Sequence, residues 1–121
     1  MAVTRVEVTP KQGEGMRDVR GDVIRRQLKA DHNIDVGEVR SINGFLIKSN
    51  TEKADIASRV NDLFADPIIE DALTDELFLT SSEHFPTTPD AVITIGFKPG
   101  VTDNPGSAAY DGFQTIFPQP D

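Results

Sequence analysis

The stretch VITIGFKPGVTDNPGSAAYDGFQTIF, Val92–Phe117, repeats in degraded form the way the chain begins. A repeat of this kind restricts the fold to copies of one unit. Ile93 matches Val6, Ile95 matches Val8, Lys98 matches Lys11 and Gly100 matches Gly13. After a two-residue gap, Asp103 falls on Asp18, Gly106 on Gly21, Ala108 on Val23 and Phe113 on Leu28. The types agree in order: alternating apolar residues, a Lys/Gly loop, an Asp, a Gly, then apolar residues at helical spacing.

In the first copy, Val3, Val6 and Val8 lie in a β-rich run ended by Pro10, which predicts a strand over Val3–Thr9. Lys11–Arg17 is a loop. Asp18 can cap the next helix, where Val23, Ile24, Gln27 and Leu28 form a stripe and the arginines face outward, up to about Asp31–Asn33. Val36–Lys48 reads as two short β-runs around Asn43-Gly44, a pair suited to a tight hairpin; one strand with a glycine bend is the competing reading. Ser49 and Glu52 have capping-box spacing, and Ile56, Val60, Leu63 and Phe64 share one helical face, predicting a helix over Thr51–Ala65 that Pro67 stops. A last strand is expected within Ile68–Leu79.

This order, βαββαβ, predicts an α+β, ferredoxin-like unit over residues 1–80, with two helices on one face of an antiparallel sheet. SSEHFPTTPD, residues 81–90, reads as a linker. Residues 91–121 then open a second, incomplete unit: a strand over Ala91–Phe97, a loop over Lys98–Thr102, and a helix with Asn104 as N-cap and Pro105 in its first turn. Tyr110, Phe113, Ile116 and Phe117 give that helix an apolar face. An unpaired strand and an aromatic helix face need cover, either from later residues of a longer chain or from a second protomer in a homo-oligomer.

Composition narrows the function classes. The chain has 121 residues, no cysteine and a net charge of −8. It therefore has no thiol nucleophile or thiolate metal site, and its acidity argues against wrapping nucleic acid phosphates. No apolar run approaches a membrane span, so a soluble, cytoplasmic protein is expected. Arg17, Arg20, Arg25, Arg26 and Lys29 form a local basic cluster, read first as a solvated helix face and second as an anion or partner site.

No residues assemble a catalytic site. His32 lies at a helix end and His84 in the linker, where no role is expected for it. Glu70, Asp71, Asp75 and Glu76 are the densest acidic group, but neighbours on a strand point to opposite faces, so solvated edge charge is favoured over metal binding. Lys98–Gly106 contains glycines before a helix but lacks GxxxxGK[ST], and Pro99 and Pro105 remove amide donors that a phosphate cradle uses. Catalytic, cofactor-binding and metal-binding residues are thus all expected to be none.

Two blocks carry a family likeness. Lys98-Pro-Gly-Val-Thr-Asp-Asn-Pro-Gly106-Ser-Ala-Ala resembles the opening loop and helix start of the PurS family. Leu63-Phe-Ala-Asp-Pro-Ile-Ile-Glu-Asp71 is similar to the segment that closes that family's second helix and opens its last strand. The first copy's loop, Lys11–Gly21, departs from the pattern by two extra residues and no proline; in the second copy Pro105 sits one place later than the usual Asp-Pro.

PurS is the small subunit of phosphoribosylformylglycinamidine synthase, and two PurS-like units occur fused at the N-terminus of longer versions. The resemblance implies a non-catalytic assembly or bridging element of purine synthesis, supporting glutamine-dependent, ATP-driven conversion of formylglycinamide ribonucleotide to its amidine. Its implied partners are the synthetase and glutaminase parts, with ATP and Mg²⁺ held in the synthetase part and no cofactor on this chain. Candidate partner-contact positions are Lys11, Gly13, Asp18 and Gly21 in one loop and Lys98, Gly100, Asp103 and Gly106 in the other. The alternative from another class is a ferredoxin-like regulatory module binding a small metabolite.

Overall fold

Alternating β-branched residues make Ala2–Pro10 a strand (β1), and it is the centre of the sheet. The computed structural model describes residues 2–13, 15–81, 83–97 and 103–117. The other elements are α1 (Val19–His32), β2 (Asn43–Ser49), α2 (Lys53–Leu63), β3 (Glu70–Thr74), a 3₁₀ turn (Phe78–Thr80) and α3 (Asn104–Ile116). β1 pairs antiparallel with β2, from Ala2 opposite Ser49 to Val8 opposite Asn43, and with β3, from Val6 opposite Thr74 to Pro10 opposite Glu70. The order β2-β1-β3, with helices α1 and α2 as the connections, is an α+β, ferredoxin-like plan with one edge strand fewer.

The missing strand is the first half of the expected hairpin. Residues 36–42 form no strand, and Asn43-Gly44 lies inside β2, opposite Val8 and Glu7. An Asn-Gly hairpin turn needs positive φ, but the described glycines with positive φ are Gly13 and Gly15. The competing single-strand reading is the observed one.

Strand alternation splits β1 into two faces. Thr4, Val6 and Val8 are buried on one, where Val60 of α2 joins Val6 and Val8 as the core. Phe45, Ile47, Phe64, Ala65 and Ala72 pack round it, with the Phe45 and Phe64 rings 5.1 Å apart. Each such side chain contributes about 1.5–3 kcal/mol when fully buried. Arg5, Glu7 and Thr9 lie on the opposite face, and there Glu7 and Thr9 are also buried.

The helices differ in how they are held. α2 starts at Lys53 with Glu52 as N-cap and no side-chain cap bond, because Ser49 is the buried last residue of β2 and not a helix cap. α1 starts as expected at Asp18 and ends at Asn33, whose left-handed backbone caps it. Its apolar stripe is not a core face, however. Val23 and Ile24 are exposed, and Gly21 is the buried residue of the helix. Of the two helices that connect the strands, α2 is the one that supplies a buried residue, Val60, to the sheet core.

The second-copy strand over Ala91–Phe97 is likewise absent. These residues form no ladder, and Ile93 and Ile95 are more than four-fifths exposed, because a strand needs a paired neighbour and none of the described residues supplies one. α3 begins one residue earlier than expected in cap terms. Asp103, not Asn104, is the N-cap, and its Oδ1 accepts the Gly106 N–H at 2.7 Å. α3 meets α2, Phe113 is buried, and the Phe113 and Phe117 rings lie 5.2 Å apart, whereas Tyr110 stays exposed.

Asp18 and Asp103 therefore play the same part in the two copies, but with different reach. Asp18 Oδ1 accepts the Gly21 N–H at 2.8 Å, and the same carboxylate also receives the Ser41 hydroxyl at 2.8 and 3.0 Å and the Ser41 N–H. Asp103→Ala should cost about 1 kcal/mol, the worth of an N-cap. Asp18→Ala should cost about 2–4 kcal/mol, since it also strips Ser41 of charge-assisted bonds. Urea unfolding of the two variants checks this order.

Candidate functional site

The loop from Lys11 to Gly21 is built around its own backbone. The Lys11 N–H donates to the Ile69 carbonyl at 2.8 Å, prolonging the β1–β3 pairing by a residue, and its Nζ lies 3.6 Å from Asp71 Oδ1. Gly13 and Gly15 take positive φ of 146° and 79°, conformations that favour glycine, and the Gly13 carbonyl accepts the Met16 N–H. Gly21 is required for a different reason. A Cβ there would stand 2.0 Å from the Val39 carbonyl oxygen, so only glycine lets α1 lie against residues 39–41.

Ser41 ties this loop to the sheet. Its carbonyl accepts the Thr9 hydroxyl at 2.8 Å while its N–H and hydroxyl donate to Asp18. Arg20 adds a bond to the Asn43 side chain at the start of β2. Lys11, Gly13, Asp18 and Gly21 are thus gathered at one end of the sheet, and most of their polar atoms are used internally. Asp103 and Gly106 form a separate cap on α3, while Lys98 and Gly100 lie outside the described residues.

Sequence reasoning passed over a second cluster, on the Glu7 side of β1. Glu7 is 5% exposed, pairs with Arg5 Nη2 at 2.8 Å and accepts the Phe78 N–H at 2.8 Å. Phe78 is fully buried, with the His84 ring 4.8 Å away edge-on and the Phe85 ring 6.4 Å away. The Arg40 guanidinium sits 3.7 Å over Phe85 and donates to the His84 carbonyl. Burial lowers the Arg40 pKa, and Glu38 and Asp18 oppose that shift. His84 and Phe85, within the expected linker over residues 81–90, are therefore fastened to the sheet.

His84 has a role after all. Its Nδ1 is 2.8 Å from the Ser81 hydroxyl, and its Nε2 is 3.5 Å from Asp71 Oδ2. Serine, histidine and aspartate in this order invite a comparison with nucleophilic catalysis, in which the carboxylate must hold the second ring nitrogen by a hydrogen bond. At 3.5 Å it does not, and Lys11 shares the same carboxylate. The arrangement anchors the segment after β3. The signal available in the sequence was the apolar spacing of Phe78 and Phe85, which the two prolines masked.

The acidic group around β3 is divided. Among the described residues no group of three or more His, Asp or Glu side chains could hold a metal ion. Asp75, with a left-handed backbone at φ 56°, accepts Lys53 Nζ at 2.7 Å and the Arg5 N–H at 2.9 Å. It borders a depression of about 550 Å³ with Glu76, Leu77 and Ser81. Among the described residues, no helix is long and apolar enough to cross a membrane.

No protein-family profile matches the sequence, and no curated protein matches it. Solved structures similar to this chain include two of PurS. B. subtilis PurS, in a C2 crystal form, has 22% identity and a TM-score of 0.43 over 60% of this chain and 95% of its own. Methanocaldococcus jannaschii PurS, described as one of the subunits of formylglycinamide ribonucleotide amidotransferase in the purine biosynthetic pathway, has 23% identity and a TM-score of 0.45, over 60% of this chain and 92% of its own.

Two measurements check the site. Phe78→Ala should cost about 3–5 kcal/mol in urea unfolding, as for a filled aromatic site, whereas Ser81→Ala should cost less than about 1 kcal/mol. The bond from Lys53 and then that from the Arg5 N–H hold the Asp75 carboxyl below its usual range. A lowered pKa stabilises the fold above the unfolded value, and this contribution is lost as pH falls through the folded one. Asp75→Asn should therefore be less stable than the parent at pH 6, and the gap should close as pH falls below the ordinary aspartate range.

Proposed function

We propose that this chain is a PurS-like, non-catalytic assembly element of phosphoribosylformylglycinamidine synthase. The observation that carries the reading is where the family-like block Leu63–Asp71 falls. α2 ends at Leu63 and β3 begins at Glu70, so the block closes the second helix and opens the last strand, as the resemblance implies. The recurring Asp-x-x-Gly cap, Asp18 with Gly21 and Asp103 with Gly106, supports it.

In this reading the chain supplies surface and no reacting group. The synthetase part carries ATP and Mg²⁺ and the glutaminase part releases ammonia; the chain bridges them while formylglycinamide ribonucleotide becomes its amidine. The loop Lys11–Gly21 is the proposed contact surface, because its backbone is held from within and its outward side chains, such as Gln12 and Arg17, can change partners without disturbing the core. The equivalent loop, with Lys98, Gly100, Asp103 and Gly106, is proposed as the second.

The test is reconstitution. Synthetase and glutaminase parts from the same source should form the amidine from glutamine at least about ten-fold faster with the chain than without it. An equal rate with and without the chain, together with no co-sedimentation, would overturn the proposal.

A further inference from the structure

The basic cluster on α1 is not consumed by the fold. Arg17 pairs with Asp22, Lys29 with Asp35 and Asn33, and Arg20 with Asn43. Arg25 and Arg26 make no hydrogen bond or ion pair with any described residue. Asp22 stands three and four residues before them, the spacing at which a carboxylate pairs on a helix, but Arg17 holds it at 3.2 Å. Arg25 is nonetheless half-buried. Partial desolvation of a charge without a counter-charge costs free energy, which an arriving anion offsets.

The two arginines open onto a cleft of about 230 Å³ between the second half of α1 and residues 34–36, lined also by Ala30, Ile34 and Val36. Asn33, with its left-handed backbone, turns the chain back along the helix. Its N–H donates to the Lys29 carbonyl at 3.1 Å, and the Ile34 N–H donates to the Leu28 carbonyl at 3.0 Å. These bonds occupy carbonyls at the helix end whose partial negative charge would repel an anion. Asp35, the carboxylate of the cleft, is held by Lys29 Nζ at 3.0 Å. In a chain of net charge −8, the cleft thus joins two uncompensated cations to an exposed apolar wall.

We propose that this cleft binds a small phosphomonoester, with its phosphate between Arg25 and Arg26 and its organic group against Ile34 and Val36. Two guanidinia match a dianion, and their planar forks bind phosphate oxygens in pairs of hydrogen bonds. A carboxylate carries a single charge and would leave half of the positive charge uncompensated. The volume lies below the roughly 300–1,000 Å³ of sites for drug-sized ligands, which limits the organic group to about one ring. Arg25 stands about two helical turns beyond Asp18, so the site is separate from the proposed contact loop and does not depend on its role.

Titration of the full, isotope-labelled chain with phenyl phosphate, in low-salt buffer free of phosphate, tests this through amide chemical shifts. Saturable shifts centred on residues 22–36 are expected. Binding should be about ten-fold tighter than that of inorganic phosphate, which lacks the ring, and of benzoate, which carries one charge. Arg25→Gln/Arg26→Gln should weaken it about ten-fold or more. Lys48→Gln/Arg59→Gln removes the same charge from elsewhere on the chain and should change it less than about two-fold. Ile34→Ala should weaken phenyl phosphate and leave inorganic phosphate unchanged. Circular dichroism checks that all three variants fold. The absence of saturable shifts at about 10 mM phenyl phosphate would overturn the proposal. So would benzoate binding as tightly, the result for a cleft that takes an acidic protein segment, or equal weakening in the two double variants, the result for an unspecific response to charge.

Discussion

β1 is hydrogen-bonded on both edges and covered on both faces, and the rest of the structure is arranged by that fact. Pairing with β2 and β3 satisfies its backbone, so the strand can be buried without orphaned amides. Once it is central, each of its side chains faces one of two environments. Val6 and Val8 meet Val60 of α2, whereas Glu7 and Thr9 must find polar partners in a buried layer. Thr9 finds the Ser41 carbonyl, and Glu7 finds Arg5 and the Phe78 N–H.

Those two polar side chains explain how irregular segments come to be ordered. Ser41 is held between Thr9 and Asp18, which brings the start of α1 to the sheet through hydrogen bonds. Phe78 is held through its N–H by Glu7 and then packs His84 and Phe85 over the same face. A buried carboxylate left without donors would cost several kcal/mol, so Glu7 and Phe78 act as a unit. The second layer on the sheet is consequently made of loops, in contrast to the helix-covered first layer.

The candidate site was partly legible. Asp18 and Asp103 were readable as positions equivalent by repeat, since an acceptor three residues before a glycine amide is a local pattern. The cap at Asp103 was missed by one place because Asn104 is an equally good cap by type, and only backbone geometry separates them. His84 was not legible, because its neighbours Asp71 and Phe78 reach it through the turn after β3 and not through helical or strand spacing. The cleft on α1 required knowing that residues 34–36 fold back beside Arg25 and Arg26.

The sequence by itself determined the local elements: the β-branched run of β1, the Asp18 cap, the apolar face of α2 and its end before Pro67. These depend on residues within a few positions of one another, where propensity and spacing act directly. Tertiary structure alone decided that Asn43-Gly44 lies within a strand, that residues 91–97 pair with nothing described, and that α1 turns Val23 and Ile24 outward. Each of these is a competition for a partner. A strand forms where an edge is free to receive it, and a helix stripe becomes core only where a sheet face is left uncovered.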